Sequence, residues 1–142
     1  MQSIRRPQGF TLIEVMVVLA IIGGIMALVA ANVVGTAGDA QIKTTKSQMK
    51  LIEGALDMYK LDNFTYPTTE QGLEALISKP SSSPEPKNYR SSGYLKGNSV
   101  PKDAWGNPFQ YFMEKGRYEI VSLGADGTEG GENEFADISY PE

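Results

Sequence analysis

From Phe10 to Val34 the chain is almost continuously apolar, and Glu14 is the one ionisable residue in that run. A helix of about 20 apolar residues crosses a bilayer, so residues 10–34 predict a membrane-spanning helix. The pattern then changes. Ile42, Thr45, Met49, Ile52, Leu56 and Tyr59 recur at alternating steps of three and four, with Leu51, Ala55 and Met58 widening the stripe. That spacing is one face of an amphipathic helix. Lys43, Lys46, Lys50, Glu53, Asp57 and Lys60 mostly fall off it. No proline interrupts residues 10–61, so the two halves predict one helix of about 50 residues, roughly 75 Å long. Gly23, Gly24, Gly35 and Gly38 weaken it locally, by about 1 kcal/mol each relative to Ala.

Beyond Asp62-Asn63 the periodicity shortens. Thr68 and Gln71 have capping-box spacing, and Leu73, Leu76 and Ile77 give the short helix they predict an apolar face, stopped by Lys79-Pro80. Residues 81–86 form a Ser/Pro loop. Tyr89, Tyr94 and Leu95 are isolated apolar positions in the turn-rich stretch that follows, suited to pinning it on a core. Asp103-Ala104-Trp105-Gly106-Asn107-Pro108 reads as a tight turn, with the single Trp covering a core edge. Residues 109–113 and 118–123 are aromatic and β-branched runs joined by Glu114-Lys115-Gly116, a hairpin, and residues 136–139 suit a third short strand. The fold class is α+β: a long N-terminal helix, half for membrane and half amphipathic, packed on a small antiparallel β-sheet.

Composition narrows the chemistry. The 142 residues hold one membrane helix and one small soluble domain. Arg5 and Arg6 precede the apolar run, which by the flanking-charge rule places them in the cytoplasm and the remaining domain across the membrane. Net charge is −4, and removal of the two arginines makes it more negative still. An acidic domain argues against a nucleic-acid partner, whose phosphates require clustered Lys and Arg. There is no Cys and no His. Disulfides, thiol and imidazole nucleophiles and the usual zinc sites are therefore out of reach, and any metal must be an oxygen-bound hard cation. No nucleophile–base pair or catalytic motif is present, so a non-enzymatic role is expected. On the helix, Lys46-Lys50 and Glu53-Asp57 are like-charged pairs at i,i+4, mildly unfavourable within one helix. They are compatible with a plain solvated face or with partners on a neighbouring subunit.

One segment is rich in oxygen ligands. Residues 123–137 carry five acidic residues, an Asn and four Gly. Calcium takes six to eight oxygens from carboxylates, amides and carbonyls, and Gly allows carbonyls to turn inward. The spacing is not that of an EF-hand. Composition alone leaves a flexible acidic loop and a calcium site both open.

The junction Gly9-Phe10-Thr11-Leu12-Ile13-Glu14 follows a short basic leader. In an ordinary secretory signal a short apolar region precedes a small-residue cleavage site; here Gly9 precedes the apolar run. A plain signal anchor accounts for the arginines and the length but not for Glu14 five residues after Gly9. The order resembles the signal of type IV pilins and pseudopilins, which implies cleavage by a prepilin peptidase between Gly9 and Phe10, then N-methylation of Phe10. Tyr66-Pro67-Thr68-Thr69-Glu70-Gln71-Gly72-Leu73, the Trp105-Gly106-Asn107-Pro108 turn and Leu123-Gly124-Ala125-Asp126-Gly127 extend the likeness. Together they closely resemble the major pseudopilin family of the type II secretion system over nearly the whole chain.

That resemblance implies a cleaved leader (residues 1–9), a transmembrane and filament-core helix (10–34) and a periplasmic pseudopilin domain (35–142). It implies a homopolymeric pseudopilus in the periplasm, growing from the bacterial inner membrane and driving export of folded proteins. Minor pseudopilins, an inner-membrane assembly platform and the prepilin peptidase are the implied partners. Glu14 would pair with the freed amine of Phe10 on the next subunit. Glu53 and Asp57 are assembly candidates facing Lys96 or Arg90 of a neighbour. The resemblance also implies a structural Ca2+ in the loop 123–137, held by Leu123, Asp126, Thr128, Glu134 and Asp137, with Glu132 and Asn133 as weaker candidates. The alternative is a type IV pilus or DNA-uptake pilin subunit. Against it stand the missing Cys pair, common in major pilins, and the acidic charge balance.

Overall fold

The computed structural model of the chain describes residues 9–141; Arg5 and Arg6 lie outside them. One long helix, α1 (Leu12–Asn63), runs through both the apolar and the amphipathic patterns, so the boundary drawn at residues 34/35 falls inside a helix. The chain divides into two compact units, Met1–Ala37 and Gly38–Glu142.

In the first unit, the window Leu12–Val29 has a mean hydropathy of 2.7 and none of it is buried. Leu12, Ile13, Leu19 and Met26 all point outward. Among the described residues of the unit nothing covers them, and the helix is long and apolar enough to cross a membrane.

The second unit contains the core. Met49, Ile52, Ala55, Leu56 and Tyr59 of α1 are buried with Leu73, Ala75, Leu76, Phe109, Tyr111, Ile120 and Ile138. Full burial of a side chain such as Ile52 or Leu56 contributes about 1.5–3 kcal/mol. The three-four stripe thus faces the core as its spacing demands, but it is narrower than predicted: Leu51 and Met58 are exposed.

The sheet is antiparallel in the order β1 (Gln110–Glu114), β2 (Arg117–Ser122), β3 (Ile138–Tyr140). Lys115 and Gly116 both take positive φ, 50° and 83°. Two successive left-handed residues make the tight turn whose twist suits a hairpin, and Glu114 pairs with Arg117 across it. β3 begins two residues later than predicted because its register is set by β2, Ser122 opposite Ile138 and Ile120 opposite Tyr140.

Thr68 and Gln71 do form their reciprocal capping bonds, at 3.2 and 3.1 Å. No α-helix follows. Gly72 sits at φ 63°, ψ −168°, a region only Gly enters readily, and the chain continues as a 3₁₀ turn, Leu73–Leu76. Tyr89 and Tyr94 pack edgewise or tilted on Tyr59, with centroids 5.2–6.3 Å away, and the carbonyl of Leu76 accepts the N–H groups of Tyr94 and Leu95.

Candidate functional site

At the N-terminal junction, Gly9 and Phe10 are exposed and precede the helix. The Thr11 hydroxyl accepts the Glu14 N–H at 3.3 Å, so Thr11 caps α1 and the chain enters it abruptly. Glu14 lies in the first turn, where the helix dipole favours a carboxylate. The Gly9–Phe10 bond is thus accessible and non-helical, just ahead of the cap.

The helix carboxylates are not idle. Glu53 Oε2 accepts the Tyr140 hydroxyl at 2.7 Å, and Asp57 Oδ1 accepts the Tyr66 hydroxyl at 3.0 Å. The ring of Tyr118 packs edge-on against Tyr66, and the Lys60 ammonium stands 4.5 Å over the Tyr66 ring. The bond to Glu53 raises the pKa of Tyr140, while burial first and then the Asp57 bond raise that of Tyr66. Part of what the like-charged pair Glu53-Asp57 lacks along the helix is thus supplied by tyrosines of its own subunit.

Arg90 is committed too. Its guanidinium makes two bonds to the Asp62 carboxylate and lies 5.5 Å over the Tyr94 ring. The Asp62 pKa is lowered by that bond and the Arg90 pKa raised by it. Of the two cations considered for a neighbour's Glu53 and Asp57, exposed Lys96 has no such pairing among the described residues.

The acidic loop is closed at its neck. Ala125 N–H donates to the Glu134 carbonyl at 2.9 Å, and the Gly124 carbonyl accepts Asn107 Nδ2 at 3.0 Å. A Cβ on Gly124 (φ 65°) would lie 2.9 Å from the carbonyl oxygens of Glu134 and Ala136, so only Gly allows this approach. Within the loop, Asp126 Oδ1 accepts the Thr128 N–H at 3.1 Å and Asp137 Oδ2 the Gly130 N–H at 2.9 Å. Leu123 is half-buried at the end of β2, and Thr128, Glu132 and Asn133 are exposed. Glu134 goes elsewhere: its carboxylate folds against α1, where a Cβ on Gly38 would stand 2.5 Å from Oε2.

Among the described residues no three acidic side chains converge as a metal-binding cluster. Calcium does not require three, because backbone carbonyls and water complete its shell. Asp126 and Asp137 each hold one backbone N–H through one oxygen. The carboxylates and backbone carbonyls of this loop are oxygen donors, the chemistry a hard cation takes.

Sequence reasoning missed Asp103. Its side chain is 5% exposed and accepts three bonds: Trp105 N–H at 3.1 Å, Asn107 N–H at 2.7 Å and the Ser122 hydroxyl at 2.7 Å. It staples the Trp105 turn to β2, beside the neck of the acidic loop. Thr45 secures the same turn to α1 by accepting the Ala104 N–H at 3.1 Å.

A capped apolar helix behind an exposed Gly-Phe bond, joined to a small sheet domain, defines the N-methylated, pilin-like class, and residues 4–31 match the prokaryotic N-terminal methylation motif. Residues 32–140 match the model of type II secretion system protein G, and the chain belongs to that family. It is 52% identical over 136 residues to the type II secretion system core protein G of Pseudomonas aeruginosa, covering 94% of each chain. It is 50% identical to that of Vibrio cholerae, covering 97% of this chain and 94% of the relative. The crystal structure of the major pseudopilin from the type 2 secretion system of enterohaemorrhagic Escherichia coli superposes with a TM-score of 0.66 at 41% identity, covering 77% of this chain and 93% of that one.

Proposed function

We propose that this chain is the subunit that polymerises into the pseudopilus of a type II secretion system. The observation that carries the reading is the likeness in fold and sequence to a solved major pseudopilin, together with an apolar helix whose Leu12–Val29 window is exposed. The subunit is anchored in the inner membrane through residues 10–34 with its domain in the periplasm. Prepilin peptidase cleaves after Gly9, and Phe10 is N-methylated. In lipid a lone carboxylate needs a cation, and Glu14 takes the freed amine of the next subunit's Phe10, which sets register. Glu53 and Asp57 keep oxygens for a neighbour's Lys96 besides their tyrosine bonds. Minor pseudopilins and the assembly platform complete the machine, whose growth drives folded proteins outward.

Deleting the gene is expected to abolish exoprotein secretion and leave twitching and DNA uptake intact. The reverse pattern would favour the type IV pilus or DNA-uptake reading.

The loop 123–137 binds Ca2+ through Asp126 and Asp137 with backbone carbonyls about Leu123 and Thr128. Bound there, the ion would offset the repulsion of the loop carboxylates and hold the neck closed. Glu134, turned onto α1, supplies its carbonyl to the neck and not its carboxylate to the ion. The domain's Tm should rise with calcium, and Asp126→Ala should remove the rise. No response in a domain already folded in chelator would refute the site.

A further inference from the structure

Gly124 opens the acidic loop, and the peptide planes on both sides of it are pinned. The Ser122 hydroxyl accepts the Gly124 N–H at 3.3 Å. A trans peptide is planar, with its C=O opposed to its N–H, so this bond also sets the direction of the Leu123 carbonyl. In the next plane, the Gly124 carbonyl accepts Asn107 Nδ2 at 3.0 Å and the Ala125 N–H donates to the Glu134 carbonyl at 2.9 Å.

Asn107 reaches further into the loop. A Cβ on Gly127 would stand 3.6–3.8 Å from the Nδ2, Cγ and Oδ1 atoms of Asn107, so the amide lies broadside against Gly127. One side chain thus spans from Gly124 to Gly127, with Asp126 between them. Asn107 does not belong to the loop it holds. Its N–H donates to Asp103 Oδ1 at 2.7 Å and its carbonyl accepts the Asp103 N–H at 3.0 Å. Asp103 also accepts the Ser122 hydroxyl at 2.7 Å. The two side chains that grip Gly124 therefore hang from one buried carboxylate, on the Trp105 turn.

We propose that Asn107 is a positioning residue for a calcium ion in loop 123–137, holding the Leu123–Asp126 donors in place from outside the loop. The inference rests on the calcium reading above and names a residue that acts through the ligands without touching the ion. Donors fixed before binding lose less freedom on binding. Groups that orient metal ligands are worth about 10–100-fold in affinity.

The test is calcium titration of the detergent-solubilised full-length chain by calorimetry, with melting in chelator measured alongside. Asn107→Ala removes the amide and keeps the backbone bonds to Asp103, so the turn survives. Its calcium Kd should rise about tenfold or more. Asn107→Ser, too short to reach the Gly124 carbonyl, should weaken binding likewise. Thr45→Val is the control: it strands the Ala104 N–H of the same turn and leaves both grips on Gly124 in place. It should lower the Tm in chelator and leave the Kd unchanged.

A Kd in Asn107→Ala and Asn107→Ser within tenfold of the unmodified chain overturns the inference. So does an equal rise in Thr45→Val, which would make the effect one of general stability. If the unmodified chain itself binds no calcium, the calcium reading fails and takes this role of Asn107 with it.

Discussion

Replacing Asp103 with Ala is the most informative perturbation of the folded domain. Truncation strands three donors at once: the Ser122 hydroxyl, which is fully buried, and the Trp105 and Asn107 N–H groups, which are partly buried. A buried donor left unpaired costs about 1–3 kcal/mol, and bonds to a charged acceptor sit toward the upper end. Counting Ser122 near 2 kcal/mol and discounting the two N–H groups to about 1 kcal/mol each, because water reaches them, gives about 4 kcal/mol. That is a large part of a stability of about 5–15 kcal/mol.

The assay is urea unfolding of residues 38–142, which contain the whole core, followed by Trp105 fluorescence. Ser122→Ala alone should cost about 1–2 kcal/mol, and the double variant should cost about 1–2 kcal/mol less than the sum, since the stranded hydroxyl is gone. Asp103→Asn keeps one acceptor and should fall between wild type and Asp103→Ala. A loss below about 1 kcal/mol for Asp103→Ala, or strict additivity with Ser122→Ala, would refute the staple.

Leu56→Ala should cost about 2–5 kcal/mol and Leu61→Ala within about 0.5 kcal/mol, compared by the same urea curves; equal losses would contradict the narrow stripe. All seven tyrosines have raised pKa values, chiefly through burial, Tyr140 through its bond to Glu53. The folded state therefore holds phenolic protons more tightly than the unfolded state, so this stability is complete below about pH 10 and is lost as pH rises further. Phenolate absorbance should then appear together with loss of circular dichroism; phenolate forming near pH 10 in an unchanged fold would contradict it. Asp62 works in the opposite direction. Its pKa is lowered by Arg90, so its contribution is present above about pH 4 and lost as pH falls through the lower folded value. Asp62→Asn should flatten the acid limb of the urea midpoint, by a small amount because the pair is exposed.

What could be read from the chain follows how far apart the cooperating residues lie. The stripe from Thr45 to Tyr59 was legible because neighbouring helical turns bury the same face, and the hairpin because Lys115-Gly116 itself carries the turn. The Thr68–Gln71 capping bonds were legible as well, but not the 3₁₀ turn after them, since Gly72 adopts a backbone that no capping rule anticipates. Contacts between distant segments left no local trace. Glu53 and Tyr140 are 87 residues apart and Asp103 and Ser122 are 19 apart, while the side chain of Glu134 meets α1 at Gly38. These hidden bonds alter how the surface works. The sequence leaves Glu53, Asp57 and Arg90 as loose charges awaiting another subunit, whereas in the fold Tyr140, Tyr66 and Asp62 already engage them. A charge that is already bonded gives less on meeting a neighbour, because the new contact must compete with the old one. The Leu12–Val29 window is by contrast apolar and exposed along its length. Burying apolar area favours association more than pairing solvated charges does, so in the filament proposed above the apolar helix would supply most of the affinity, and the pre-engaged charges would act mainly on register and specificity.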